Sequence, residues 1–226
     1  MAPSSPPPSG LQLSAEDDQS TRESILGAAI EAIERGGESA VRVLEVARQA
    51  GFSVRMIYYC FGDREGLIEA ARARQFMGRG MEDVAAIAHL VDTSPDFEGF
   101  SAGVRRIVAA GFEGPRAEQR LSRASVIGAT WKRPRLAALV QAEQLKVLTA
   151  LEAAVQRAQA RGFIDPAVPA RAFAAFMQAY SFGKVMSDLA GPGAVADVDW
   201  AQVVVRFIAA FGPPTPPPPA PTPTPR

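Results

Sequence analysis

The chain has 226 residues, a formal net charge of zero, 47% apolar residues and 21% charged residues. That balance suits a globular protein with room for one or two compact domains, and it advertises neither a nucleic acid nor a membrane surface as partner. One cysteine, Cys60, and one histidine, His89, exclude an internal disulfide and leave no metal cluster, zinc site or histidine triad. No apolar run approaches the ~18 residues of a membrane span, and no signal-peptide pattern opens the chain, so a soluble intracellular protein is expected.

Of 19 prolines, 13 lie near the two ends, and residues 1–19 and 212–226 are expected to be disordered tails. Between them the period is helical. A Ser20-x-x-Glu23 capping box opens a first helix whose stripe is Leu26, Ala29, Ile30 and Ile33, closed at Gly36-Gly37. Val43, Val46, Ala47 and Ala50 repeat the stripe, with Ser39 as N-cap and Gly51 past the end. Ser53 caps a short third helix, and Phe52 with Ile57 stands at hydrophobic-staple spacing. Ile57 and Phe61 turn one face of it inward, and Gly62-Asp63 ends it. A fourth helix runs from Arg64 through Met77.

Further on, Phe97, Phe100, Val104, Ile107 and Val108 form a stripe beginning near Ser94-Pro95. A long helix spans about 134–161 and stops at Gly162. A penultimate helix is apolar on two faces: Phe173, Phe176, Met177 and Tyr180 on one, and Ala175, Ala179, Phe182, Met186 and Leu189 on the other. Trp200, Val203, Val204, Phe207, Ile208 and Phe211 mark the last. The expected fold is all-α, with no period-2 alternation to suggest a sheet.

Two helices joined by a tight glycine turn, the second short, are the plan of a helix-turn-helix over about 42–61. With Ile57 and Phe61 inward, Val54, Arg55, Met56, Tyr58 and Tyr59 face outward or sideways. An exposed arginine there can reach guanine O6 and N7, and tyrosine hydroxyls and N-terminal amides suit phosphate oxygens. Residues 20–75 hold eight arginines and eight acids; only 48–64 is locally basic, through Arg48, Arg55 and Arg64. Modest non-specific affinity and a shallow salt slope are therefore expected of this surface.

Residues 21–67 resemble the N-terminal domain of the TetR family of bacterial transcriptional regulators. The resemblance rests on Arg22-x-x-Ile25-Leu26-x-Ala28-Ala29, the Gly36 stop, Val46-Ala47-x-x-Ala50-Gly51-Phe52-Ser53, Ile57-Tyr58-x-x-Phe61, and a basic residue before Glu65-x-Leu67. It implies a three-helix DNA-binding domain at 20–67 and a larger helical effector-binding and dimerisation domain at 68–211. Tyr58 then stands at a phosphate-contacting tyrosine and Arg64 where a phosphate-facing lysine is usual. Base contacts fall on Val54, Arg55, Met56 and Tyr59, with Ser53 and Arg48 beside them. Cys60 replaces a common histidine and Arg55 a small residue, implying either a different operator or a helix seated differently in the groove.

Phe97, Phe100, Phe112, Trp131, Phe176, Met177 and Tyr180 are candidates to line an apolar effector cavity, or else plain core, with His89 and Lys184 as polar handles. No nucleophile motif, carboxylate pair or phosphate loop appears, so neither enzymatic activity nor a cofactor is expected. The resemblance implies a cytoplasmic homodimer that represses a palindromic operator and is released by a small hydrophobic effector. The alternatives are an activator, or a DNA-binding-impaired small-molecule-binding protein on the same fold.

Overall fold

The computed structural model describes residues 15–78, 80–112, 116–191 and 193–213. The expected tails therefore fall mostly outside the described residues. Ten α-helices form, and no strand occurs among the described residues. None of these helices is long and apolar enough to cross a membrane. The chain divides into two compact units, Met1–Gln75 and Phe76–Arg226.

In the first unit α1 (Ala15–Gly36) starts earlier than the capping box implies. Ser20 lies inside the helix and caps nothing. Asp17 and Asp18 put negative charge near the N-terminal end, where the helix dipole favours it, so the helix extends over residues assigned to a tail. Gly37, at φ 70°, turns the chain into a 3-10 segment, Glu38–Ala40. The Ser39 hydroxyl donates to the Gly36 carbonyl at 3.2 Å instead of capping α2. Next come α2 (Val43–Ala50) and α3 (Val54–Phe61). Gly51 between them takes the left-handed conformation, φ 78° and ψ 22°, that a side chain would strain.

The eight residues of α3 are too few to be helical by themselves. Tertiary packing holds them. Ile57 and Phe61 are buried against Ile25, Ala29 and Val46, and each contributes about 1.5–3 kcal/mol by leaving water. α4 (Arg64–Met77) begins after Asp63, whose Oδ1 accepts from the Gly66 amide at 2.6 Å. Leu67, Ile68 and Ala71 of α4 complete this core, so the expected boundary at 67/68 falls inside a packed helix.

The second unit contains α5 (Gly80–Thr93), α6 (Phe97–Ala110), α7 (Arg116–Thr130), α8 (Pro134–Ala160), α9 (Ala170–Asp188) and α10 (Asp197–Ala209). α6 is capped by Asp96, which accepts from the Gly99 amide at 2.8 Å. Gly103 lets α5 approach α6: a Cβ there would lie 2.1 Å from Leu90 Cδ1. α8 ends where Gly162, φ 72°, lets the Phe163 amide donate back to the Ala158 carbonyl at 2.8 Å. The α10 stripe splits. Val204 is buried and Ile208 packs on the core, whereas Val203 and Phe207 are exposed.

A buried ionic network ties α7, α9 and α10 together. Arg120 donates twice to Asp188 Oδ2, at 3.0 and 2.9 Å. Lys184 lies 2.8 Å from Asp188 and 3.1 Å from Asp197. Burial pushes the Asp188 carboxyl up, but the hydrogen bonds from Lys184 and Arg120 outweigh it and hold the group below its ordinary value. A carboxylate with a lowered folded-state pKa stabilises the fold above its unfolded value of about 3.9 and loses that contribution as pH falls through the folded one.

Asp188→Asn should therefore cost about 3–5 kcal/mol near neutral pH, because Arg120 loses its counter-charge. It should also flatten the acid limb of stability, read from urea midpoints between pH 2 and 7. Ile57→Ala should destabilise the first unit by about 2–5 kcal/mol, detected as faster amide exchange throughout α1 to α3.

Candidate nucleic-acid interface and apolar pocket

In α3 the N-cap is Ser53, whose Oγ accepts from the Met56 amide at 3.1 Å. That bond fixes where the helix starts and leaves the hydroxyl able to donate. With Ile57 and Phe61 inward, Arg55, Tyr58 and Tyr59 stand on the opposite side. Tyr59 is 77% exposed and Tyr58 46% exposed. Val54 and Met56 are half-buried at the edges of this face, and Arg48 on α2 is exposed. The structure thus brings Arg55, Tyr58 and Tyr59 onto one open surface, with Ser53 at its N-terminal end.

Arg64, expected to face a phosphate, is exposed and also bonds within the fold. Its Nε donates to the Val41 carbonyl at 2.8 Å and its Nη2 to the Glu38 carbonyl at 2.7 Å. Arg72, two turns along α4, holds the Glu38 carboxylate at 3.0 Å. The arginine fork therefore closes the turn before α2.

Sequence reasoning gave Arg22 no structural role. It donates to the Cys60 carbonyl at 2.7 Å, and its guanidinium lies 4.8 Å from the centre of the Phe61 ring. It ties α1 to the end of α3, and nothing in the local period distinguishes it from a solvated arginine. Burial pushes the Cys60 thiol above its usual range, the opposite of an activated thiolate.

The second unit has an apolar pocket between α5, α6, α8, α9 and α10. Of the expected lining residues, Phe100, Met177 and Tyr180 belong to it. Phe97 borders a smaller groove beside it, together with Phe100. Phe112 packs behind Tyr180, with ring centres 6.2 Å apart. Phe176 stacks on the exposed Phe207 at 5.1 Å, outside the pocket. Trp131 is 88% exposed, because it sits in the turn between α7 and α8, beyond both packed faces. His89 is exposed, and Lys184 is occupied by Asp188 and Asp197, so neither is a handle in the pocket. Much of the wall is aliphatic: Ile87, Leu90, Leu151 and Val155 are examples. In a sequence, such residues are indistinguishable from plain core.

Residues 25–71 match the profile described as bacterial regulatory proteins, tetR family. No match to a curated protein was found. Among solved structures, a TetR-family transcriptional regulator from Rhodococcus sp. is 22% identical, with a TM-score of 0.62 over 86% of this chain and 99% of that one. A transcriptional regulator from Saccharomonospora viridis, in complex with choline, is 19% identical, with a TM-score of 0.56 over 84% and 96%. FadR from Bacillus subtilis, in complex with stearoyl-CoA, is 13% identical, with a TM-score of 0.54 over 84% and 98%. At these identities the likeness is one of fold.

Arg64→Ala removes two hydrogen bonds from the turn before α2 and should destabilise the first unit by about 1–3 kcal/mol in urea denaturation. Arg64→Lys should restore little of it, since a single ammonium does not reproduce the fork.

Proposed function

We propose that this chain, whose N-terminal unit is a TetR-type helix-turn-helix domain, is a ligand-responsive DNA-binding regulator. It acts as a homodimer in the bacterial cytoplasm. The observation that carries the reading is the face of α3: Arg55, Tyr58 and Tyr59 are exposed together while Ile57 and Phe61 anchor the helix from behind. A buried apolar pair rigidifies a surface that would otherwise have no reason to be rigid. Arg55 reads a base edge, and Tyr58 and the α3 amides meet phosphates. Val54, Met56, Tyr59, Ser53 and Arg48 flank these contacts. Arg64 serves chiefly by holding the turn that positions α2.

Dimerisation is supported by the outer face of α9. Ala175 and Ala179 are exposed, Met186 is 74% exposed and Leu189 68% exposed, with Leu145 of α8 at 52%. Apolar area of this extent calls for a cover, and a symmetric second copy supplies one. Two recognition helices in successive major grooves, about 34–36 Å apart, then call for a palindromic operator.

The pocket of the second unit is the effector site. Solved structures of this fold in complex with choline or stearoyl-CoA support a ligand-binding role for this chain. An effector that binds preferentially to the dimer state unable to seat both recognition helices releases the operator, which makes the protein a repressor. The chemistry on the page is of binding only, and we assign no reaction to it.

Selection of bound duplexes from a random library should enrich a palindrome with the wild-type protein and none with an Arg55→Ala/Tyr58→Ala double variant. Arg55→Ala alone should relax preference at one position per half-site by about 1–3 kcal/mol, whereas Tyr58→Phe should weaken all duplexes alike. No enrichment by a folded dimer, with or without ligand, would sink the DNA reading.

A further inference from the structure

Tyr180 alone among the side chains lining this pocket carries a polar group; the others are aliphatic, phenyl or thioether. No hydrogen bond to another described residue occupies its hydroxyl. Burial pushes that phenol up to about 12, so it stays protonated and able to donate throughout the physiological range.

The charges nearest the pocket are already paired. Asp83 takes both prongs of Arg116, at 2.9 and 3.0 Å. Lys184, one turn beyond Tyr180 on α9, is held by Asp188 and Asp197, and Arg120 by Asp188. Arg123 has a buried Nε without a partner, but it belongs to α7, which contributes no residue to the lining.

An ion entering this pocket would leave water and meet no counter-charge, at a cost of several kcal/mol. A hydrocarbon body gains about 0.8 kcal/mol for each methylene buried. One neutral acceptor group offsets its own desolvation by bonding to the waiting hydroxyl. We infer that the effector is an uncharged, largely hydrocarbon molecule bearing a single hydrogen-bond acceptor, such as a ketone, ester or ether oxygen, and that the Tyr180 hydroxyl holds that oxygen. This deepens the effector reading above and rests on the pocket being its site.

The test is displacement of Nile red from the full-length chain at neutral pH. The competitors share one chain length: 2-undecanone, undecanoate, undecyltrimethylammonium and 1-undecene, each below its micellar concentration. The ketone should displace the dye at a concentration roughly tenfold or more below that of either ion. Tyr180→Phe should weaken the ketone about fivefold and leave 1-undecene unchanged. Met177→Trp, which fills the pocket, should weaken every competitor and so locate the binding.

An ion that binds as tightly as the ketone overturns the inference. So does a Tyr180→Phe variant that weakens ketone and alkene equally, or dye binding that Met177→Trp leaves intact. A protein that binds neither dye nor competitor has no apolar site here, and the effector reading falls with the inference. DNA selection on the same sample separates the two failures. The ketone preference without DNA enrichment leaves the pocket assignment standing and removes the regulator. DNA enrichment with an ion preferred does the reverse.

Discussion

Everything proposed for the first unit depends on one packing contact, the seating of Ile57 and Phe61 on the core built by α1, α2 and α4. A helix as short as α3 does not form alone, so its shape is borrowed from that contact. Because the two anchors lie four residues apart, they take a single face. Arg55, Tyr58 and Tyr59 are thereby forced outward on the other side. Ser53 and Gly62 set where the helix begins and ends, and Gly51 sets how it leaves α2. Recognition chemistry is thus a consequence of core packing.

Arginine does much of the remaining structural work in this unit. Arg22 closes the end of α3 onto α1, Arg64 holds the 3-10 turn through its carbonyls, and Arg72 holds the same turn through the Glu38 carboxylate. The guanidinium fork can serve two acceptors at once, which suits it to turns whose carbonyls have no helical partner. With Arg22, Arg64 and Arg72 bonded to internal acceptors, Arg42, Arg48 and Arg55 are the exposed arginines of residues 41–61. A neutral first unit with few outward cations accords with DNA binding that leans on shape and base contacts more than on charge.

The second unit separates apolar from ionic burial. Arg120, Lys184, Asp188 and Asp197 satisfy one another at one end of α9, whereas Phe173, Met177 and Tyr180 face the pocket further back along the same helix. Pairing the charges among themselves keeps them away from the pocket, and that is what makes its chemistry so one-sided. The outer face of α9, rich in alanine and bounded by Met186 and Leu189, is exposed.

The all-α class, the helix-turn-helix and the glycine stops were legible in the sequence, because period, caps and positive-φ glycines are local signals. The inward pair Ile57 and Phe61 was equally legible from its spacing. The start of α1 was not, since good helix formers upstream of Ser20 override a capping box. The pocket wall was legible only in part. Phe100, Met177 and Tyr180 line it, while Trp131 stands in solvent and Phe176 stacks on Phe207 outside it. An aromatic residue shows by its type that it prefers burial, but not which of several packed faces it will join. Arg64 makes the same point with a polar side chain: nothing in its local sequence foretells its bonds to the Val41 and Glu38 carbonyls, which the fold brings close. Local periodicity determined which residues turn inward; only the packing of helices distant in the chain decided which of those surround a cavity and which cations remain free, because both depend on contacts that no local pattern encodes.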